Sequence, residues 1–148
     1  MKIKTLLVAV MALLVSVAAY ARDTYSTNVE DLPQAARTLL TTHFPNVQVN
    51  HIKIDSHVLG GKDYDVVLNN GTEIDFDSEG RLDEIDCGRN GKVPDALVFA
   101  PILQYVHNTY PGQKIIKYDV KRSGYEVELN NGLDLVFNKQ GNFLHLDD

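Results

Sequence analysis

The chain has 148 residues, a formal net charge of −6 and one cysteine, Cys87. An acidic balance argues against a partner built on phosphate, since nucleic-acid binding is driven by Lys and Arg. A lone cysteine rules out an internal disulfide framework, and the length suits one modest domain or two small fused units.

The N-terminus reads as a secretory signal over residues 1–21. Lys2 and Lys4 supply a positive start, Leu6 to Val15 an apolar core, and Ala19-Tyr20-Ala21 the small residues that a signal peptidase reads. The apolar run is short for a membrane span and gives way to Arg22-Asp23, so no span is expected in the mature chain. Cleavage near Ala21 implies a periplasmic or secreted protein, and loss of Lys2 and Lys4 takes the formal charge from −6 to −8.

Arg22 to Asn28 is polar and reads as a loose chain end. Leu32, Ala35, Ala36, Leu39, Leu40 and Phe44 then recur at spacings of three and four, the stripe of an amphipathic helix. Asn28 or Asp31 is placed to cap it, Pro33 suits its first turn, and Pro45 lies just past its end. Val47-Gln48-Val49 and Ile52-Lys53-Ile54 alternate out of phase, which predicts either one strand with a bulge near Asn50-His51 or two short strands. Ser56 to Asp63 is a loop. Tyr64 to Asn69 alternates as a strand and runs into Asn69-Asn70-Gly71, a hairpin turn in which Asn-Gly tolerates positive φ. Thr72, Ile74 and Phe76 share one face of the returning strand, Ser78-Glu79-Gly80 turns the chain, and Arg81 to Asp86 is a further strand. Cys87 to Lys92 is a linker.

The same order then returns. Phe99, Ile102, Leu103, Val106 and Tyr110 form a second helical stripe, ended by Pro111. Pro101 requires either a kinked helix from Pro94 or a helix that begins at Pro101. Ile116, Tyr118 and Val120 alternate, Tyr125 to Asn130 runs into Asn130-Asn131-Gly132, Leu133, Leu135 and Phe137 return, and Phe143 to Leu146 closes the chain. From Tyr64 onward the halves align at a constant offset of 61, as Tyr64 to Tyr125 and Gly80 to Gly141 show. The predicted fold is α+β, a tandem repeat of a helix plus four antiparallel strands. Residues 22–87 form one unit and 88–148 the other, with both helices on one face of a sheet of up to eight strands. An antiparallel sheet of this kind leaves its other face polar.

The succession of a helix ending in Phe-Pro or Tyr-Pro, then Tyr-x-Val-x-Leu-Asn-x-Gly, then a Phe-x-x-x-Gly turn, resembles the PepSY-like domain of exported Bacteroidetes proteins. The residues that carry the resemblance are Tyr64, Val66, Leu68, Gly71, Phe76 and Gly80, with Tyr125, Val127, Leu129, Gly132, Phe137 and Gly141. The resemblance implies a fold similar to the β-lactamase inhibitory protein. It also implies an exported, non-enzymatic module that binds or inhibits a peptidase or another hydrolase. It assigns no inhibitory residue, because these positions read as core and turn.

Two acidic patterns are candidates for chemistry. Asp75, Asp77, Glu79, Asp83 and Asp86 stand at positions 1, 3, 5, 9 and 12 of a run with Gly80 at position 6, the ligand spacing of a calcium loop. Its flanks alternate like strands, position 12 lacks the longer Glu, and the second half has Val136, Asn138 and Gln140 for Asp75, Asp77 and Glu79, so an ordinary hairpin turn is the competing reading. Secondly, Asp65, Glu73, Asp75 and Asp77, with Glu126, Glu128 and Asp134, fall on the face opposite the apolar positions. They form either a solvated sheet face or a docking surface for a basic protein partner. His43, His51, His57, His107 and His145 lack metal-ligand spacing, and Cys87 lacks a partner for nucleophilic catalysis; its expected role is a buried, inert thiol. His43 and His107 are expected half-buried on the helices. No phosphate loop, dinucleotide fingerprint or Gly-x-Ser-x-Gly elbow occurs, so calcium is the only cofactor the spacing raises.

Overall fold

A computed structural model describes residues 23–147; the signal-peptide reading lies outside the described residues. The strands are β1 (Thr24–Ser26), β2 (Val49–Ser56), β3 (Lys62–Leu68), β4 (Glu73–Phe76), β5 (Leu82–Asp86), β6 (Ile115–Lys121), β7 (Gly124–Leu129), β8 (Asp134–Asn138) and β9 (Phe143–Asp147). The helices are α1 (Gln34–His43) and α2 (Ala100–Thr109), each preceded by a short 3-10 turn, Val29–Asp31 and Asp95–Leu97. Every strand pairs antiparallel with the next, so one nine-stranded sheet runs β1 to β9 in chain order. Among the described residues no helix is long and apolar enough to cross a membrane.

Alternation places the core. One cross-strand row, Ile52, Val66, Ile74, Ile85, Tyr118, Val127 and Leu135, is buried throughout and shares a core with Ala36 and Leu40 of α1 and Ile102 and Val106 of α2. A shift of one residue would send every member of this row to the solvent face, so its continuity pins the register of all the strands. Each helix ends where its first non-helical residue donates back, Phe44 to the Leu40 carbonyl and Tyr110 to that of Val106. The following proline cannot continue the helix.

The two Asn-Asn-Gly corners are built alike. Gly71 N–H donates to Leu68 O and Leu68 N–H to Thr72 O, as Gly132 does to Leu129 and Leu129 to Leu133. Asn70 Oδ1 accepts from the Thr72 amide, and Asn131 Oδ1 from that of Leu133. Only the glycines have positive φ, +85° and +84°, so these are type I turns closed by a glycine bulge. Asn70 and Asn131 act here through their side-chain carbonyls and not through left-handed backbone.

Several expectations are corrected, and where two alternatives stood open one is selected. Residues 24–26 are not loose; they form β1, which pairs with β2 and raises the strand count from eight to nine. Asn28 caps the 3-10 turn by accepting from the Glu30 amide and does not cap α1, which begins after Pro33 without a side-chain cap. Ala35 is exposed, so the α1 stripe is narrower than its spacing suggested. His43 is half-buried but His107 is exposed. Pro101 sits in the first turn of α2, which begins at Ala100 without a kink. The Asn50-His51 irregularity is a bulge in one continuous strand, β2. The Cys87–Lys92 stretch is tied to β6 by Cys87 N–H to Ile116 O and, just beyond it, Val93 N–H to Ile115 O, and β5 pairs directly with β6. Both halves therefore share one sheet.

Candidate functional site: the carboxylate face of the sheet

One residue out of phase with the buried row runs a second row on the opposite face. Tyr25, Lys53, Asp65, Asp75, Glu84, Asp119, Glu126, Val136 and His145 lie directly opposite one another from β1 to β9. Five neighbouring strands, β3 to β7, thus contribute five carboxylates in succession. The next row on this face adds Glu73, Asp86, Lys117, Glu128, Asp134 and Asp147. Like charges directly opposite repel at this spacing.

Three lysines offset part of that repulsion. Lys53 Nζ lies 2.6 Å from Asp55 and 3.6 Å from Asp65. Lys117 Nζ is 2.8 Å from Glu84, and Lys121 lies 3.2 Å from Asp119 and also bonds Glu126. Asp75, between Asp65 and Glu84 in the row, pairs with no cation among the described residues. Burial, then the charges of Asp65, Glu84 and Glu73, push its carboxyl up to about 6, against which Lys117 acts weakly. Burial also raises Asp119, more than Lys121 lowers it. Glu128, Asp134 and Asp147 line a depression of about 310 Å³ over β6 to β9, together with Lys117, Asp119, Lys121 and Glu126.

The seven acids expected on this face divide clearly. Asp65, Asp75 and Glu126 occupy the first row, and Glu73, Glu128 and Asp134 the second. Asp77 belongs instead to the turn after β4. Its Oδ1 accepts from the Glu79 and Arg81 amides, and its Oδ2 takes the Arg81 Nε–H at 2.7 Å. Burial alone would raise its pKa, but these hydrogen bonds and the Arg81 charge bring it below the usual carboxylate range. Asn138 makes the same two amide contacts with Gln140 and Asn142. An uncharged amide therefore does the work of Asp77 in the second half, and the spacing that resembles a calcium loop is a hairpin turn. Glu79 points to Arg81 at 3.1 Å, and Asp86 accepts from the Gly88 amide at 2.7 Å. Asp83 is raised by burial and by Asp77 and Asp63. Asp75, Asp77, Glu79, Asp83 and Asp86 do not converge, and among the described residues no three His, Cys, Asp or Glu side chains gather as a metal ion would require.

Sequence reasoning missed Glu84, Asp119 and the three lysines. The signal was present: Lys117, Asp119 and Lys121 alternate with Ile116, Tyr118 and Val120. What it lacked was the β5–β6 pairing that joins the acids of the two halves. Cys87 is half-buried and free, and burial raises its thiol pKa.

The second of the two halves and part of the first, residues 62–145, match the model of a family described as "Putative beta-lactamase-inhibitor-like, PepSY-like". Among curated proteins none matches the chain. Solved structures do. A "putative periplasmic protein of unknown function" from Bacteroides vulgatus is 38% identical, with a TM-score of 0.80 over 86% of this chain and 100% of that one. A second periplasmic protein from the same organism is 36% identical, with a TM-score of 0.79 over 85% and 97%. A protein from Bacteroides thetaiotaomicron, described as a "putative calcium-regulated periplasmic protein", is 33% identical, with a TM-score of 0.78 over 85% and 97%. None of these descriptions names an enzyme. With its signature residues in the core and its turns formed as described, this chain belongs to the PepSY-like family.

Proposed function

We propose that this chain is an exported, non-enzymatic binding module, periplasmic or secreted after cleavage near Ala21, that docks a basic protein partner on the polar face of its sheet. In this reading residues 22–87 and 88–148 are two copies of one unit, and the partner belongs to the peptidases or other hydrolases that an inhibitor-like or docking domain would engage. The observation that carries it is the uninterrupted row of carboxylates across β3 to β7, in which Asp75, flanked by Asp65 and Glu84, has no cation partner among the described residues. A protein does not gain stability by lining up like charges; a row that costs folding energy is accounted for by a cation-bearing partner that offsets it.

The test is retrieval of a partner from a native envelope fraction with the mature chain as bait. The expected result is a basic protein held at low salt, released between about 0.1 and 1 M salt as charge screening shortens. A bait with Asp75→Asn, Glu128→Gln and Asp134→Asn should retrieve markedly less. Equal recovery by both baits would remove the sheet face as the docking site.

A second reading is a weak calcium site or a calcium-responsive envelope domain. It is favoured by the description of the Bacteroides thetaiotaomicron relative as calcium-regulated and by carboxylates on this face that lack a cation partner. Such a site would require Asp75, Asp83 and Asp86, which do not converge in this structure, to be drawn together on binding, since Asp77 and Glu79 are held by the turn and Arg81. Calorimetric titration with Ca²⁺ decides it: no heat and no rise in melting temperature would dispose of calcium.

A further inference from the structure

The inner row does not end as it runs. Ile85, in β5, is 0% exposed, because β6 covers the outer edge of its strand. Leu146 holds the corresponding place in β9, 61 residues later, and is 45% exposed. Among the described residues no strand pairs with the outer edge of β9. Leu144, at the bulge of the same strand, is 54% exposed. Beside it, Phe143 stacks on Tyr105 of α2 at 5.0 Å and extends the apolar border onto the helix side. Of the devices that blunt an open sheet edge, β9 has the bulge at Leu144 and Asp147 at its end, but no lysine, no proline and not the shortness of a minimal strand. The opposite edge has one, since β1 spans only three residues.

From this we infer that the edge of β9 is an interaction surface, and that its occupant is β9 of a second copy, paired antiparallel about a two-fold axis through His145. The strand is self-complementary in that arrangement. Leu144 of each copy lies opposite Leu146 of the other, so both exposed leucines are covered at once and the sheet continues without a break. Charge also permits it. The first row ends on the uncharged Val136 and on His145, and in this register Asp147 of each copy falls opposite Phe143 of the other, so no two carboxylates of the edge strands face each other. The contact is narrow, which makes the dimer weak and concentration-dependent.

Sedimentation of the mature chain from about 1 µM to about 1 mM, a range that brackets weak association, should show a monomer–dimer equilibrium. Leu146→Lys should raise its dissociation constant at least about tenfold, since a buried lysine would face an apolar neighbour. The native circular dichroism spectrum should persist, because the position is half-exposed in the monomer. In a Cys87→Ser background, His145→Cys should form a disulfide-linked dimer under mild oxidation, whereas Tyr25→Cys, at the other end of the same row, should not. A monomer throughout the range would overturn the inference. So would equal cross-linking by both cysteine variants, or a ladder of species beyond the dimer, which would mean head-to-tail assembly.

Discussion

Asp75→Asn offers the sharpest test of how the carboxylate face is built. The carboxyl of Asp75 is raised from an ordinary 3.8 to about 6, first by burial and then by Asp65, Glu84 and Glu73. A raised acid binds its proton more tightly in the folded than in the unfolded chain. Native protein is thus favoured below about pH 4, and that stability is lost as pH climbs through about 6. The full shift corresponds to about 3 kcal/mol. Solvent reaches the half-buried carboxylate, which reduces the realised cost to about 1 to 2 kcal/mol. Asn keeps the size and removes the charge, so Asp75→Asn should stabilise the protein by about that amount at pH 7.5 and by close to nothing at pH 3.5. Urea unfolding of both proteins at the two pH values measures it, at low salt so that Asp65 and Glu84 are not screened. A variant less stable than the parent at pH 7.5, or a gain equal at both pH values, would refute the claim that Asp75 is held charged against its neighbours.

Other consequences can be measured by the same denaturation. A Cβ on Gly80 would stand 2.8 Å from Pro33 Cβ and 2.9 Å from the Ala36 amide nitrogen, at a φ of +79°, so Gly80→Ala should cost about 2 kcal/mol or more. Gly71 has a similar φ but open space around it, so Gly71→Ala should cost only about 1 kcal/mol. If both cost the same, the seat of the β4–β5 turn against α1 has been misjudged. Asp77→Asn should cost no more than about 0.5 kcal/mol, because Asn138 already caps its turn with an amide and only the exposed Arg81 pair is lost, whereas Asp77→Ala should cost about 1 kcal/mol more through lost amide contacts. Ile85→Ala, at the junction of the halves, should cost about 2 to 5 kcal/mol while leaving a single unfolding transition seen alike by fluorescence and circular dichroism. Two separated transitions would mean that β5 and β6 do not couple the halves.

The amino-acid sequence by itself determined the local alternation and the turns. Val66, Leu68, Ile74 and Phe76 are inward because apolar side chains recur every second residue, and the matching Val127, Leu129, Leu135 and Phe137 follow from the same pattern. Gly71, Gly80, Gly132 and Gly141 mark corners because only glycine takes those backbone angles cheaply. Tertiary structure alone decided what those elements meet. β1 was missed because three polar residues carry no periodicity, and only the exposed edge of β2 gives them a partner. Asp77 had the spacing of a cation ligand and proved to be a turn cap, a distinction that rests on where the Glu79 and Arg81 amides point. The carboxylate row itself is a long-range object. Glu84 and Asp119 are far apart in the chain and become neighbours through the β5–β6 pairing, because strand partners are chosen by burial of Ile85 against Tyr118 and not by the charges that ride on the other face.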